Sequence, residues 1–355
     1  VKAPNSPLRV PAGEAAVEVI DQRRLPFEEH WVRLNTADDV FTAIREMWVR
    51  GAPLIGATAA FGLALHARGD ASATGLQACA GHLGAARPTA VNLAWALKRV
   101  LDRALAAPAA QRAQAAWAEA RAIADEDIAV NAAIGRHGLA LLKAIAGRKP
   151  GRPVQVLTHC NAGWLATMGW GTATAPVYQA HAEGLPLHVW VDETRPRNQG
   201  ASLTAWELGA AGVPHTLIAD NAGGHLMQRG EVDIVFVGCD RVAANGDVCN
   251  KIGTYLKALA AHDNGVPFHV AMPWSTFDAA LPGGAQVPIE ERAGDEVTHL
   301  HGRTDDGRVR RVQVAPDGTR AANPAFDVTP ARLVTTLITE TGLVAPAEVA
   351  RARRP

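Results

Sequence analysis

Six short polar strings stand out along the chain, and each sets a nucleophile, an acid, a cation or an amide near an apolar run. Cys160 lies in Leu157-Thr-His-Cys-Asn-Ala-Gly163. It is read as a thiol between a strand end and a helix start, where free N–H groups and the helix dipole favour the thiolate. The same placement suits a buried structural cysteine, because free Cys is among the most buried residue types. Asp240 lies in Val237-Gly-Cys-Asp-Arg-Val-Ala-Ala-Asn-Gly-Asp247 and ends another apolar run. With Asp233 and Asp247 it forms the densest polar cluster after a core strand, which favours a functional loop. Asp240 reads equally as an acid with a perturbed pKa or as a partner of Arg241.

Three further strings suit an anion. Arg50-Gly51-Ala52-Pro53 places an arginine and small residues at a helix start, where free N–H groups bind phosphate. Arg87-Pro-Thr-Ala-Val-Asn92 repeats the arrangement, and Asn250-Lys251 opens another predicted helix. Each alone also reads as a surface charge or a cap; together at one point they would cradle a phosphate. In Asp192-Glu-Thr-Arg-Pro-Arg-Asn-Gln-Gly200, Gln199 is suited to hydrogen-bonding a sugar hydroxyl, while Glu193 and Arg195 can pair to shape the loop.

The elements that position these residues change character along the chain. Residues 15–20 read as a strand and Asp21–Pro26 as a turn. Asp38 can cap a helix reaching about Val49, with Val40, Ile44, Met47 and Trp48 on one face. A second helix starts near Ala52-Pro53 and passes Phe61 and Leu65, with Pro53 in its first turn. Ala-rich helices continue from about Gly75 to Lys143. At Ala146–Pro153 the composition shifts to Gly, Pro and charge, as a domain boundary does. Beyond it, strands are predicted at Val154–Leu157, Leu187–Val191, His215–Ile218, Ile234–Val237 and Phe268–Ala271. Helices are predicted between them at Leu165–Glu183, Ser202–Leu208, Gly224–Arg229 and Ile252–Ala261. This alternation predicts an α/β chain, with a mainly helical domain at 1–148 and a parallel sheet, covered on both faces, in 149–355. Ligands of such sheets bind beyond the carboxyl ends of the strands, where strand order reverses.

Composition narrows the function classes. The chain has 355 residues, 48% hydrophobic and 20% charged, so it can bury a large core. Lys+Arg and Asp+Glu are both 35, which supplies no general basic field for nucleic acid or an anionic membrane. No apolar run approaches the ~20 residues of a membrane span, and Val1–Pro11 lacks a leader pattern, so a cytoplasmic protein is expected. The four cysteines show no CxxC spacing and read as free thiols. The 13 histidines include no HExxH and no zinc spacing, so no metal is expected. There is no GxxxxGK[ST] loop, and Gly169-Trp-Gly171-Thr-Ala-Thr lacks the third glycine of a dinucleotide fingerprint, so no nucleotide cofactor is expected either.

Longer strings carry a family resemblance: RGAPLIGATAAFGLAL (50–65), RPTAVNLAWAL (87–97), LTHCNAGWLAT (157–167), VDETRPRNQGASLTAWEL (191–208), GCDRVAANGDVCNKIGTY (238–255) and PFHVAMPWSTFD (267–278). In these, and in NPAFDVTPARLVTTLITETG (323–342), the chain resembles the methylthioribose-1-phosphate isomerases, sister to the regulatory subunits of the eukaryotic translation-initiation guanine-nucleotide exchange factor. The resemblance implies a small helical N-terminal domain and a Rossmann-like C-terminal one, paired as a homodimer. It implies conversion of 5-methylthioribose 1-phosphate to 5-methylthioribulose 1-phosphate in methionine salvage, without metal or redox cofactor. It also implies a catalytic pair at Cys160 and Asp240, with Arg50, Gly51, Ala52, Arg87, Gln199, Asn250 and Lys251 binding substrate. The partner expected is a small sugar phosphate; isomerisation of 5-deoxyribose 1-phosphate or ribose 1,5-bisphosphate, and a non-catalytic regulatory subunit, are the alternatives. Cys239, Cys249, Trp164 and Arg197-Asn198 depart from the family's usual pattern, with Arg197 expected to face solvent.

Overall fold

The computed structural model describes residues 5–12 and 16–352. A small antiparallel sheet opens it: β1 (Leu8–Arg9), β2 (Val17–Ile20) and β3 (Trp31–Leu34), in that order. The strand expected at 15–20 is thus present from Val17, and Ala15 lies outside the described residues. Five helices follow: α1 (Ala37–Arg45), α2 (Ala52–Ala67), α3 (Ala73–Gly84), α4 (Val91–Ala106) and α5 (Arg112–Arg148). The cap of α1 is Thr36 rather than Asp38. Its side chain accepts from Asp39 N, and the Asp39 carboxylate accepts from Thr36 N, a reciprocal box that Asp38 cannot make.

Helix α2 is apolar on every side and is buried almost throughout, from Leu54 to Leu65, so the other helices pack around it. Helix α5 has 37 residues and is therefore roughly 55 Å long at about 1.5 Å per residue. Its Ala116, Ala120 and Ile123 join the core around α2, whereas Ile134, Leu139 and Leu142 join the core under the main sheet. By length and composition alone, 109–148 passes as a membrane span, which corrects the expectation that no segment approaches that length. Its buried face packs on α2, α4 and α6 (Ala175–Ala182), and Arg99 of α4 pairs with its Glu119 and Glu126, as in the core helix of a globular protein.

The main sheet contains β4 (Val154–His159), β5 (Leu187–Asp192), β6 (His215–Ile218), β7 (Ile234–Val237), β10 (Phe268–Ala271) and β15 (Thr336–Thr339), all parallel, with β16 (Gly342–Val344) antiparallel at one edge. Its order is β16-β15-β10-β7-β4-β5-β6. The chain starts at β4, moves outward through β5 and β6, then crosses to β7 on the other side, so the strand order reverses between β4 and β7. In a Rossmann-like sheet a crevice opens at this reversal, because the loops leaving the two strands diverge.

Helices α7 (Trp206–Ala210), α8 (Gly223–Gln228) and α9 (Thr254–Asp263) connect the strands. A second sheet, ordered β11-β8-β9-β14, combines β8 (Arg241–Ala243), β9 (Val248–Lys251), β11 (Phe277–Asp278) and β14 (Phe326–Thr329). The short α10 (Asp295–Thr298), the hairpin β12 (His299–Arg303) and β13 (Val309–Gln313), and α11 (Val349–Ala352) complete the fold.

Two expected helices begin later than the apolar pattern suggests. The stretch expected as Leu165–Glu183 is helical only in α6. Ahead of it, Thr167 bonds locally to Gly169 O and Gly171 N, and this turn replaces helical bonds. Asn250-Lys251 does not start a helix: it ends strand β9, with Lys251 opposite Phe326 and Asn250 opposite Asp327, and α9 begins only at Thr254.

Candidate active site

The reversal between β4 and β7 brings together residues far apart in sequence. Cys160 follows β4 directly and Asp240 leaves the end of β7, where Gly238 lets the two exit loops touch: a Cβ there would lie 2.7 Å from that of Ala162. Cys160 adopts a left-handed backbone (φ 62), unusual for a side-chain-bearing residue, and its carbonyl accepts from Thr204 Oγ1 at 2.6 Å. Its thiol donates to Gln199 Oε1 at 3.2 Å.

Arg50 precedes α2 and is buried; its Nη1 donates to Asn161 Oδ1 at 2.5 Å and its Nη2 to Asn161 O at 2.6 Å. This fork ties the helical half of the chain to the loop carrying Cys160. Gly51 has φ 94, and a Cβ there would come within 2.6 Å of Ala166, so the close approach of α2 to that loop requires glycine. Arg87 reaches the crevice from the turn before α4 rather than from a helix start, and its Nη2 pairs with Glu290 at 2.8 Å. Lys251 arrives from β9 with Nζ 4.6 Å from the Phe326 ring, and Asn250 Nδ2 bonds Thr254 Oγ1 at 3.0 Å.

The result is one partly open cavity at the strand reversal. Arg50, Gly51, Ala52, Arg87, Cys160, Gln199, Asp240, Asn250 and Lys251 all line it, so every residue singled out from the sequence for this site meets there. Met47, Pro53, Ala166, Pro273 and Phe326 supply apolar lining.

Burial governs the electrostatics. Burial pushes the Asp240 carboxyl above the usual range, and Lys251, Arg87 and Arg50 only partly offset it. Burial likewise pushes the Cys160 thiol up against the pull of Arg50 and Lys251. The expected dipole-stabilised thiolate is therefore not found: the segment after Cys160 enters a 3₁₀ turn at Trp164–Ala166, not an α-helix. Burial lowers Lys251, which Cys160 and Asp240 counter. A carboxyl raised by burial and a thiol facing three basic side chains make a cavity suited to a small anion and to proton donation from Asp240.

Other readings of the loops change. Asp233 leaves the cluster to bind Lys149, Arg152 and Gln155 N, and Asp247 accepts from Gly284 N and Ala331 N. Arg241 pairs with Asp278. Glu193 accepts from the backbone of Gly200 and Ala201, while Arg195 donates to Pro196 O and Val297 O, so these two shape the loop separately. Arg197 does not face solvent freely: it bonds Glu296 at 3.0 Å. Cys239 also lines the cavity, with Sγ 3.3 Å from Thr276 Oγ1 and its thiol pushed up to about 12 by burial. All four cysteines are free.

Sequence reasoning missed the groups that hold the site from behind: Asn161 under Arg50, Glu290 on Arg87, Glu207 near Leu165 N and His159 beside Cys160. Asn161 and His159 flank Cys160 in its motif, a signal that was available; Glu290 and Glu207 carry none.

A family model described as the initiation factor 2 subunit family matches residues 48–346. The chain belongs to this family. Within the initiation factor 2 subunit family it is 62% identical over 338 residues to the methylthioribose-1-phosphate isomerase of Methylorubrum populi, covering 95% of this chain and 92% of that one. The solved 5-methylthioribose 1-phosphate isomerase from Pyrococcus horikoshii shares the fold at TM-score 0.84 and 39% identity, over 98% of this chain and 94% of that chain. The translation initiation factor eIF-2B delta subunit from A. fulgidus superposes at TM-score 0.80 and 38% identity, over 97% of each chain.

Proposed function

We propose that this chain isomerises 5-methylthioribose 1-phosphate to 5-methylthioribulose 1-phosphate, an aldose–ketose step in methionine salvage, with Cys160 and Asp240 as the catalytic pair. The carrying observation is the one cavity in which Asp240, its carboxyl raised by burial, and the Cys160 thiol face Arg50, Arg87 and Lys251. The identity to isomerase relatives over nearly the whole chain supports the same reading.

Phosphate on the anomeric oxygen prevents the sugar from opening as a free aldose does. Asp240 donates its proton to the ring oxygen as the bond to C1 breaks, leaving an electron-poor C1. The C2 hydrogen then moves to C1 with its electron pair, the C2 hydroxyl proton returns to the Asp240 carboxylate, and the ketone forms at C2. A thiol kept neutral by burial is a weak base, which favours direct migration of the C2 hydrogen with its electron pair over abstraction by Cys160. Arg50, Arg87 and Lys251 hold the phosphate, Gly51 and Ala52 offer it the N–H groups at the start of α2, and Gln199 and Asn250 orient the sugar. Met47, Pro53, Ala166, Pro273 and Phe326 suit a methylthio group better than a second phosphate, which supports this substrate over ribose 1,5-bisphosphate.

The same reading takes the enzyme as cytoplasmic, homodimeric and independent of metal, with domains at 1–148 and 149–355. One core gathers around α2 and another under the sheet, and α5 spans both, with Ile134, Leu139 and Leu142 packed under the sheet. Proton NMR of the protein with 5-methylthioribose 1-phosphate in D₂O tests the function. Ketose should form without deuterium at C1. Absence of turnover would refute the isomerase and leave a ligand-binding subunit, like the delta-subunit relative, as the reading to pursue.

A further inference from the structure

His159, directly before Cys160, is 1% exposed and borders the cavity. Its Nδ1 lies 2.5 Å from Asp192 Oδ2, at the end of β5, and its Nε2 lies 2.8 Å from Ile252 O, directly after Lys251. A backbone carbonyl only accepts, so Nε2 donates to Ile252 O, and Nδ1 faces the Asp192 carboxylate. Lys257 Nζ sits 2.9 Å from the same Asp192 oxygen and also donates to Asp220 O. One imidazole ring therefore bonds three segments of the site: the β4 end with Cys160, the β5 end that leads to Gln199, and the turn after Asn250-Lys251. Such a fully buried, doubly bonded ring is costly unless each bond is kept, so it has one orientation.

We propose that His159, braced by Asp192 and Lys257, is a positioning residue that sets Cys160 and Lys251 at their working separation. The proposal deepens the isomerase reading and rests on it only for the kinetic arm of its test. The thiol of Cys160 is faced by Arg50, Lys251 and Asp240, and by Gln199 as acceptor. His159 itself is faced by Asp192, by Lys257 and by Asp327 from β14. Of these, Lys251 is the cation next in sequence to the Nε2–Ile252 bond, while the β9–β14 pairing holds the other side of its segment. When that bond is lost, Lys251 draws back and the thiol loses part of the pull that counters burial.

The test uses His159→Gln, with Asp192→Asn as a second variant that keeps shape and removes the counter-charge. Two readouts are needed: kcat and KM for 5-methylthioribose 1-phosphate, and the pH profile of iodoacetamide alkylation at Cys160 followed by peptide mass spectrometry. A misplacement of about 1 Å costs on the order of 100-fold in rate, so kcat should fall roughly 10- to 100-fold with KM within about threefold. The alkylation midpoint should move to higher pH in both variants. Native kcat and a native alkylation profile in either folded variant would overturn the proposal. A general loss of stability with an unmoved profile would also overturn it, by reducing His159 to a core residue. If the unaltered protein turns over no sugar phosphate, the isomerase reading fails while the alkylation profile still decides the role of His159.

Discussion

Replacing Glu207 by glutamine should make the protein much more stable at pH 8 and change it far less at pH 5. Glu207 lies on α7 with no exposed surface; its Oε2 accepts from Leu165 N at 3.2 Å, and the buried Tyr178 hydroxyl faces it. Burial pushes its carboxyl up to about 8 from an ordinary 4.5, against smaller opposing effects from Leu165 N–H, Asn161 and Arg50. A folded value above the unfolded one means that the folded chain keeps a proton the unfolded chain has already released. Between about pH 4.5 and about 8 this group therefore subtracts stability as pH rises, and below that window it subtracts none. At about 1.4 kcal/mol per unit, the loss by pH 8 is at most roughly 5 kcal/mol. Glu207→Gln keeps the volume and an acceptor for Leu165 N and removes the titration. The variant should gain roughly 2–5 kcal/mol over the native protein at pH 8, a rise of several degrees in Tm. Denaturant midpoints of both proteins at whole pH units from 5 to 8 provide the assay. Asp127, pushed up to about 7, and Asp327 and Glu340, also raised by burial, contribute slopes common to both proteins, and these cancel in the difference. Parallel stability profiles would show that Glu207 is not held neutral and would refute the argument.

Cys160→Ser and Asp240→Asn should each lower kcat by at least ~100-fold, the scale of a lost acid or stabilising group, and near-native turnover would remove that residue from the mechanism. Arg50→Lys keeps the charge but cannot make both bonds to Asn161; at about 1.5–3 kcal/mol per charge-assisted bond, kcat/KM should drop roughly 10- to 100-fold in steady-state assays. Gly51→Ala forces a Cβ against Ala166 at a left-handed position, so its Tm should fall and KM rise; unchanged values would show that the loop yields freely. Because burial holds Asp240 protonated above the usual carboxyl range, kcat should decline on the alkaline side as this acid is lost, and the decline should be absent from the residual rate of Asp240→Asn.

Local pattern was enough wherever a residue's role follows from its immediate neighbours. Cys160 and Asp240 each sit just beyond a short apolar run, and short apolar runs between helices become parallel strands, so both side chains fall at strand ends. Pro53 and the small residues around it mark the start of α2 for the same reason. Local pattern failed where a distant partner decided the conformation. Lys251 reads as a helix start from its neighbours, yet β14 pairs with its segment and makes it a strand, which places the ammonium over Phe326. Leu165–Thr174 reads as helix from its apolar content, yet threonine and glycine side-chain and backbone bonds turn it into a buried loop.

The sequence by itself determined the α/β class, the helical-to-alternating change near residue 150, and the identity of the polar groups available, because propensity and periodicity are properties of short segments. Only the tertiary structure decided that these groups share one cavity, since the meeting of Arg50, Arg87, Cys160, Asp240 and Lys251 depends on the strand reversal between β4 and β7 and on α2 docking against the Cys160 loop. It also decided their protonation, because burial and the summed charges of distant side chains set the pKa of Asp240 and Cys160, and neither quantity exists until the chain has folded.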